Sequence, residues 1–282
     1  METYVFFAVV LAALFHATWN TFVKVDGDRL VFMAVMMMGS GVVALGATLF
    51  LPIPATASWP YLALSLFFHD GYVFFLLMAY RYGDLSHVYP LARGSAPLIV
   101  ALVSVTLIGE KLTNHGLLAI FVMTGGIISL CITRGAQNLR NPMAVFFALG
   151  TGFFLAGYTL TDGVGARLAG NAHSYAAWTL GLEVIPVLIF VLWRRKTKFV
   201  PQATRIWKSA LFLGLMSLAA YWTIIWAMTI APIALVAALR ETGIIFALIL
   251  GVFFLKERLN LARLAAVFTT LVGVTILKIG RP

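Results

Sequence analysis

The chain has little charge. Only 11% of its 282 residues are charged, whereas 62% are hydrophobic, and the mean hydropathy is +0.98. This composition excludes a water-soluble globular domain, because such domains carry about a quarter of charged residues. Apolar runs of about 20 residues recur along the whole length, separated by short polar breaks. The sequence therefore predicts an integral membrane protein.

Cysteine and catalytic motifs are also scarce. The single cysteine, Cys131, excludes an internal disulfide, and its place in an apolar run favours a packing role. The five histidines never occur four residues apart, and the chain has no cysteine cluster, Walker loop or nucleophile elbow. We therefore expect no enzymatic activity, no cofactor and no metal site.

Acidic residues are few as well, so the formal net charge is +10. The basic residues gather in loops such as Arg194 to Lys198, which the positive-inside rule explains without nucleic-acid binding. Most of them fall in the odd-numbered connections, which predicts cytoplasmic odd loops and both termini outside.

The first apolar segment has no basic leader or cleavage pattern, so it is interpreted as a retained helix. We expect a multi-pass protein of the inner (cytoplasmic) membrane, with lipid as a partner.

Ten apolar segments are long enough to cross a bilayer as helices. A barrel would need alternating strands of about 10 residues, so the pattern predicts an all-α protein with ten transmembrane helices. The predicted helices run near Tyr4 to Phe22, Leu30 to Leu51, Trp59 to Tyr80, Leu85 to Ile108, Leu112 to Thr133, Pro142 to Gly165, Ser174 to Trp193, Lys208 to Ile230, Pro232 to Leu255 and Leu259 to Ile279.

The two halves of the chain are related in sequence. The segment from Arg93 to Ile132 aligns without a gap with the segment from Arg240 to Ile279. We therefore predict two domains, residues 1–135 and 141–282, each a repeat of five helices. Because five spans is an odd number, the second repeat is expected to be inverted relative to the first. Inverted repeats are typical of secondary transporters, in which the substrate site lies near the bilayer midplane.

Arg93 and Arg240 occupy equivalent positions in these repeats. A guanidinium at the centre of a spanning helix costs about 2.5 to 3.5 kcal/mol on insertion scales, and it cannot lose its proton. Each arginine lies about 12 Å into its span at a rise of 1.5 Å per residue, so inversion would bring the two from opposite faces to one central cavity. They are predicted either to clamp a carboxylate or phosphonate or to form structural ion pairs. Tyr89 shares the face of Arg93, and Pro90 is expected to break the helix there.

Each half also carries an acidic-basic-leucine turn before a glycine-containing last helix, Glu110-Lys111-Leu112 and Glu257-Arg258-Leu259. With two sets of five helices, the chain resembles the EamA family of the drug/metabolite transporter superfamily over essentially its whole length. The resemblance implies transport of amino acids, metabolites, sugars or nucleotide sugars without ATP. It also implies cytoplasmic termini, in disagreement with the count of basic residues. Glu110 and Glu257 are expected to make caps or loop salt bridges and are left out of the site.

A narrower resemblance rests on His16 to Asn20 with Lys24, on Tyr80 to Ser86 and on Val88 to Gly94. These segments are similar to a subset of the family associated with phosphonate use. On the first helix His16 and Asn20 share a face beside Trp19. Because a polar stripe in contact with lipid is costly, these side chains are expected to face the interior, either at the substrate site or in hydrogen bonds between helices.

Ionisable residues on the third helix add a candidate for coupling. His69 and Asp70 are adjacent and point about 100° apart, so one is expected to line the cavity while the other pairs with a neighbouring helix. Either residue could carry a coupling proton, or Asp70 could be the counter-ion of Arg93. The other candidate partners are Glu183 for Arg93, and Glu241 or Asp162 for Arg240. Further candidates for lining the site are Tyr72, Tyr158, Tyr221 and Trp222.

Deep charges of both signs favour a zwitterionic substrate such as an amino acid or aminophosphonate, with an organic anion as the next choice. The sequence thus predicts a secondary active transporter of small polar metabolites that works by alternating access. A proton or an exchange substrate would be its coupling partner, and we expect a monomer or weak dimer. The alternative is a flippase for lipid or lipid-linked headgroups.

Overall fold

The computed structural model describes residues 1–23, 29–83, 85–133, 141–195, 199–256 and 261–279. The residues Lys24, Lys198, Glu257, Arg258 and Leu259 named above lie outside these ranges. Within them the chain folds into α-helices and forms no strand. The helices are α1 Thr3–Val23, α2 Arg29–Thr48, α3 Trp59–Tyr82, α4 Leu85–Val103, α5 Asn114–Thr133, α6 Pro142–Leu168, α7 Ala172–Leu182, α8 Val184–Arg195, α9 Phe199–Ile230, α10 Ile233–Arg240, α11 Gly243–Leu255 and α12 Leu261–Ile279. A 3₁₀ turn at Thr56–Ser58 precedes α3, and a π turn at Ser104–Ile108 follows α4.

Ten helical segments in the described part of the chain are long and apolar enough to cross a membrane. The predicted all-α fold with ten spans is confirmed. Two of the spans consist of two helices each, since α7 and α8 together form Ala172–Arg195 and α10 and α11 form Ile233–Phe254. Large apolar side chains such as Phe67, Phe253 and Phe268 cover the outside of the bundle, where lipid would contact them.

The interruption of the ninth span lies directly after Arg240. The Glu241 amide donates to the carbonyl of Ala238 and the Thr242 amide to that of Leu239, both at 3.0 Å. These bonds span three residues and not four, so the chain tightens into a 3₁₀ turn between α10 and α11. A break was expected in α4 instead, but Pro90 lies inside that continuous helix. The proline was therefore a misleading signal for the position of the interruption.

Helix α9 begins at Phe199, well before the predicted Lys208. The charges at Arg205 and Lys208 suggested a helix boundary, but the segment is amphipathic. Phe199 is buried against α2 and α8, where it packs with Val31 and Val191. Packing of this one apolar face therefore extends the helix beyond the apolar run.

The core of the bundle surrounds α10. Every side chain from Ile233 to Arg240 is buried. The helices that pack around it are α1, α4, α5, α6 and α9, and the same core includes Val9, Ile225 and Met228. Because α10 has no face toward the outside, the polar groups at its C-terminal end lie at the centre of the molecule.

Close packing of α4 against α6 fixes the position of Arg93. A Cβ atom added at Gly152 of α6 would lie 2.9 Å from the carbonyl oxygen of Ala92, closer than van der Waals contact permits. Small residues let membrane helices approach in this way. The turn of α4 that carries Arg93 is therefore held directly against α6.

Candidate functional site

A cavity of about 90 Å³ lies between α1, α4, α5 and the turn that joins α10 to α11. We call it the Arg93 cavity. Its apolar wall includes Ile127, Leu130 and Ala247. Its polar wall consists of His16, Asn20, Tyr89, Arg93 and Glu241.

Arg93 pairs with Glu241 across the two halves of the chain. The Nε atom of Arg93 donates to Oε2 of Glu241 at 3.1 Å, and both side chains are almost fully buried. The Arg93 guanidinium also lies 5.9 Å from the centre of the Tyr89 ring, within the range of a cation–π contact. This corrects two expectations, because Arg93 was assigned to Asp70 or Glu183, and Glu241 to Arg240.

Three consecutive residues at the α10–α11 turn keep buried polar atoms without a partner. Arg240 Nε, Glu241 Oε1 and Thr242 Oγ1 make no hydrogen bond with any described residue. An unpaired buried polar atom costs about 1 to 3 kcal/mol, so such atoms are rare in folded proteins. Of these three residues Glu241 lines the cavity, so a polar ligand there could pair with its Oε1 atom.

His16 and Asn20 contribute the α1 side of the cavity, as predicted for the polar stripe. The Asn20 amide donates to the His16 carbonyl at 3.0 Å within the helix, which leaves its carbonyl oxygen for another donor. The His16 ring packs edge-on against Trp19, with ring centres 5.0 Å apart. Trp19 itself turns away from the cavity and packs with Val23 and Phe32 at the contact of α1 with α2 and α9.

Arg240 is buried but does not belong to the residues that line the cavity. Its guanidinium lies 6.0 Å from the centre of the Tyr158 ring. The next residue, Glu241, lines the cavity. Arg240 therefore lies between the Arg93 cavity and a second set of polar residues around Tyr158. We expected both arginines to line one cavity, but only Arg93 lies in its wall, whereas Arg240 lies behind that wall.

The second set, which we call the Asp162 cluster, consists of His69, Tyr158, Asp162, Tyr175, Glu183 and Tyr221. Asp162 is fully buried and accepts hydrogen bonds from the hydroxyls of Tyr175 and Tyr221. The Nε2 atom of His69 is 4.0 Å from Oε1 of Glu183. The His69 ring stacks on Tyr158 at 4.0 Å, and Tyr72 packs edge-on against the same tyrosine.

Asp70 is absent from both sets. It lies on the exposed side of α3, on the stripe that also carries Phe67 and Phe74. Its expected role as counter-ion of Arg93 is therefore wrong. Adjacent His69 points inward, so the 100° between neighbouring helical positions separates the two ionisable groups.

Trp222 lies at the edge of the bundle. Its indole donates to Nδ1 of His173 at the start of α7, at 2.9 Å. Its expected place in the substrate pocket is corrected to a contact between α9 and α7. Among the described residues, no group of three or more His, Cys, Asp or Glu side chains could hold a metal ion.

Glu110, which was left out of the predicted site, forms an ion pair that joins four segments at one end of the bundle. Glu110 accepts from Nη2 of Arg167 at 2.6 Å and from the Ile233 amide at 2.9 Å. Arg167 also donates to the carbonyls of Met228 at 2.8 Å and Ala231 at 3.0 Å. The left-handed backbone of Gly109, with φ of 78°, turns the chain after the π turn toward these partners. The only signal in the sequence was the recurrence of this glutamate in both halves.

The direction of the helices places these groups at two levels of the membrane. Successive spans run in opposite directions, so the odd-loop face holds the end of α1 and the start of α4, and the even-loop face holds the opposite ends. His16 and Asn20 lie in the second half of α1 and Arg93 in the first half of α4, so the cavity belongs to the odd-loop half. Asp162 lies in the last third of α6, which places its cluster in the even-loop half. The Glu110 network lies at the even-loop face.

Two comparisons with known proteins agree with this architecture. Residues 142–279 match the EamA-like transporter family. A solved crystal structure superposes with a TM-score of 0.76, covering 98% of this chain and 96% of that chain at 16% sequence identity. At this identity the likeness shows the fold alone. The family match supports a multi-pass membrane transporter of the drug/metabolite type.

Proposed function

Because the second half of the chain belongs to the EamA-like transporter family, we propose that the protein is a secondary active transporter of small polar metabolites. The substrate binds in the Arg93 cavity, and the two predicted inverted repeats move around it in alternating access. The substrate class is an amino-acid-like zwitterion or an organic anion, phosphonates included. The observation that carries this proposal is the buried ion pair of Arg93 and Glu241 in the cavity wall, with Oε1 of Glu241 left without a hydrogen-bond partner.

The charges of the cavity suit a zwitterion best. Oε2 of Glu241 is held by Arg93, whereas Oε1 of the same carboxylate is buried and unpaired. A substrate ammonium group would pair with Oε1, and a substrate carboxylate or phosphonate would pair with the outer nitrogens of the Arg93 guanidinium. The N-terminus of α11 at Gly243 and Ile244 also lines the cavity and adds a partial positive charge on the side of the anion.

Alternating access is supported by the position of the cavity relative to the Glu110–Arg167 network. The cavity lies in the odd-loop half, and the Glu110–Arg167 network joins α6, α9 and α10 beyond it at the even-loop face. The excess of Lys and Arg in the odd loops supports a cytoplasmic odd-loop face in an inner-membrane protein.

Counterflow in proteoliposomes tests this function. Vesicles loaded with unlabelled glycine, L-glutamate, succinate or 2-aminoethylphosphonate receive the labelled form of the same compound outside. We expect at least one of these compounds to accumulate transiently, and Asp70→Asn, which changes a carboxylate outside both polar sets, to match the native protein. Loss of counterflow for all four compounds, together with accelerated movement of a fluorescent phospholipid between leaflets, would establish the flippase alternative instead.

A further inference from the structure

The Asp162 cluster has no role in the substrate contacts described above, yet it holds most of the remaining buried charge. Arg93 and Glu241 neutralise each other in the cavity wall. In this part of the described structure Arg240, 6.0 Å from the Tyr158 ring centre, is the fixed positive charge, against two carboxyl groups, the fully buried Asp162 and the partly buried Glu183. If both carboxyls are ionised and the histidines are neutral, the interior carries one negative charge too many. An uncompensated charge at this depth is strongly unfavourable.

We propose that the Asp162 cluster binds one proton, and that this proton is the coupling ion of the transporter. The coupling rests on the transport function proposed above, whereas the proton site stands on the geometry of the cluster. One proton on His69, Glu183 or Asp162 brings the buried charges into balance. Proton relays in membrane transporters are built from these residue types.

The geometry allows the proton to be shared among the three groups. His69 Nδ1 lies 3.0 Å from the carbonyl oxygen of Ser65, so a hydrogen at Nδ1 would leave Nε2 directed at Glu183, 4.0 Å away. Asp162 accepts from two tyrosine hydroxyls, which can rotate to accept from a protonated carboxyl. Because these groups interact at short range, the proton belongs to the cluster and not to one side chain.

Groups from every neighbouring helix act on this proton. The α3 helix supplies His69 and Tyr72, while Asp70 on the same helix points outward. The other titratable and charged groups that face the cluster are Tyr158 from α6, Tyr175 from α7, Tyr221 from α9 and Arg240 from α10. Of these, Arg240 is the fixed positive charge, and the tyrosines act as neutral donors.

Tyr158 connects the proton site to the substrate site. One face of its ring stacks on His69, and the Arg240 guanidinium lies 6.0 Å from the ring centre. Arg240 immediately precedes Glu241, whose carboxylate lines the Arg93 cavity. A substrate with net negative charge at the cavity would therefore favour proton binding, and by reciprocity the proton would favour that substrate.

The pH dependence of stability tests the proton site without any substrate. We expect the Tm of the purified protein to fall as the pH rises from 6 to 9, because the folded cluster binds a proton that the unfolded chain releases. Glu183→Gln and Asp162→Asn each remove the excess negative charge, so either change should abolish most of this slope. Glu2→Gln, which changes an exposed carboxylate before α1, is the control, and its slope should equal that of the native protein.

A purely structural role predicts a different result. In that case Glu183→Gln and Asp162→Asn lower the Tm equally at every pH, and the parallel profiles overturn the proposal. If Asp162→Asn does not fold, Glu183→Gln and His69→Gln decide the question. Coupling is then read from counterflow of L-glutamate and 2-aminoethylphosphonate at an imposed pH gradient, with a proton-sensitive dye inside the vesicles. Flattened Tm profiles without counterflow would refute the transport function while retaining the proton site, and counterflow without dye response would refute the coupling.

Discussion

Glu241 distinguishes the two buried arginines from each other. Its carboxylate pairs with Arg93 from the other half of the chain and not with adjacent Arg240. Neighbouring residues on a helix point about 100° apart, and the 3₁₀ turn after Arg240 adds to this separation. Arg93 is consequently held in the cavity wall by a charge partner, whereas Arg240 contacts the Tyr158 ring.

The aromatic residues of α1 supply a prediction at the same scale. Trp19→Phe should leave transport unchanged, because Trp19 packs against α2 and α9 and not in the cavity. The lost packing area and the removal of an unpaired buried indole N–H oppose each other, so the free energy of unfolding should change by less than about 1.5 kcal/mol. His16→Ala, one turn away in the cavity wall, should abolish most of the counterflow. Equal transport losses in the two variants would contradict this assignment.

Residue types and spacing predicted much of the site but not its pairing. The burial of His16, Arg93 and Glu241 could be expected from the cost of polar groups in an apolar span. The sequence could not show which of His69 and Asp70 faces inward. Both side chains are ionisable, and neighbouring positions on a helix differ only in the direction in which they point. The partner of Arg93 comes from a residue 148 positions away, and that contact depends on tertiary packing.

At the scale of the helices, the interrupted spans carry the site. The α10–α11 turn contributes both the carboxylate of Glu241 and the N-terminus of α11 to one cavity. Apolar runs and prolines predicted the number of spans correctly. They did not reveal this interruption, because its cause is a pair of hydrogen bonds within the turn and not a helix-breaking residue.

Helix packing behind Arg93 gives a prediction of stability. Gly152→Ala should lower the free energy of unfolding by about 1 to 3 kcal/mol, because the new methyl group would overlap the Ala92 carbonyl. Gly46→Ala in α2 is the matched control, since its Cβ would meet no atom within 4 Å. Thermal unfolding in detergent compares the two variants. A Gly152→Ala protein as stable as Gly46→Ala would show that α4 does not depend on this contact.

The ion pair at the even-loop face gives a prediction of accessibility. Arg167→Ala removes bonds to Glu110, Met228 and Ala231, so the even-loop end of the bundle should open more often. A cysteine at Ala231, in a background with Cys131→Ala, should then react several times faster with a membrane-impermeant maleimide. Arg81→Ala at the other end of the bundle is the control. Unchanged reactivity would indicate that the network is not a gate.

Across the whole molecule, polar groups are arranged at two levels in an otherwise apolar bundle. The Arg93 cavity occupies the odd-loop half, the Asp162 cluster the even-loop half, and Arg240 with Tyr158 lies between them. The inverted relation of residues 1–135 and 141–282 stays a prediction. Movement of one half against the other would act on Arg93 and Glu241, since each half supplies one member of that pair.

The proposed substrate site is tested most directly by the counterflow of the transported compound in Arg93→Gln, Glu241→Gln and the double variant. Each single change leaves one buried charge unpaired and should cost both stability and transport. The double variant removes both charges, so its Tm should recover toward that of the native protein. If Arg93 and Glu241 bind the substrate, the recovered protein still fails to exchange it. Restoration of counterflow together with stability would contradict the proposed site and leave the pair a structural salt bridge.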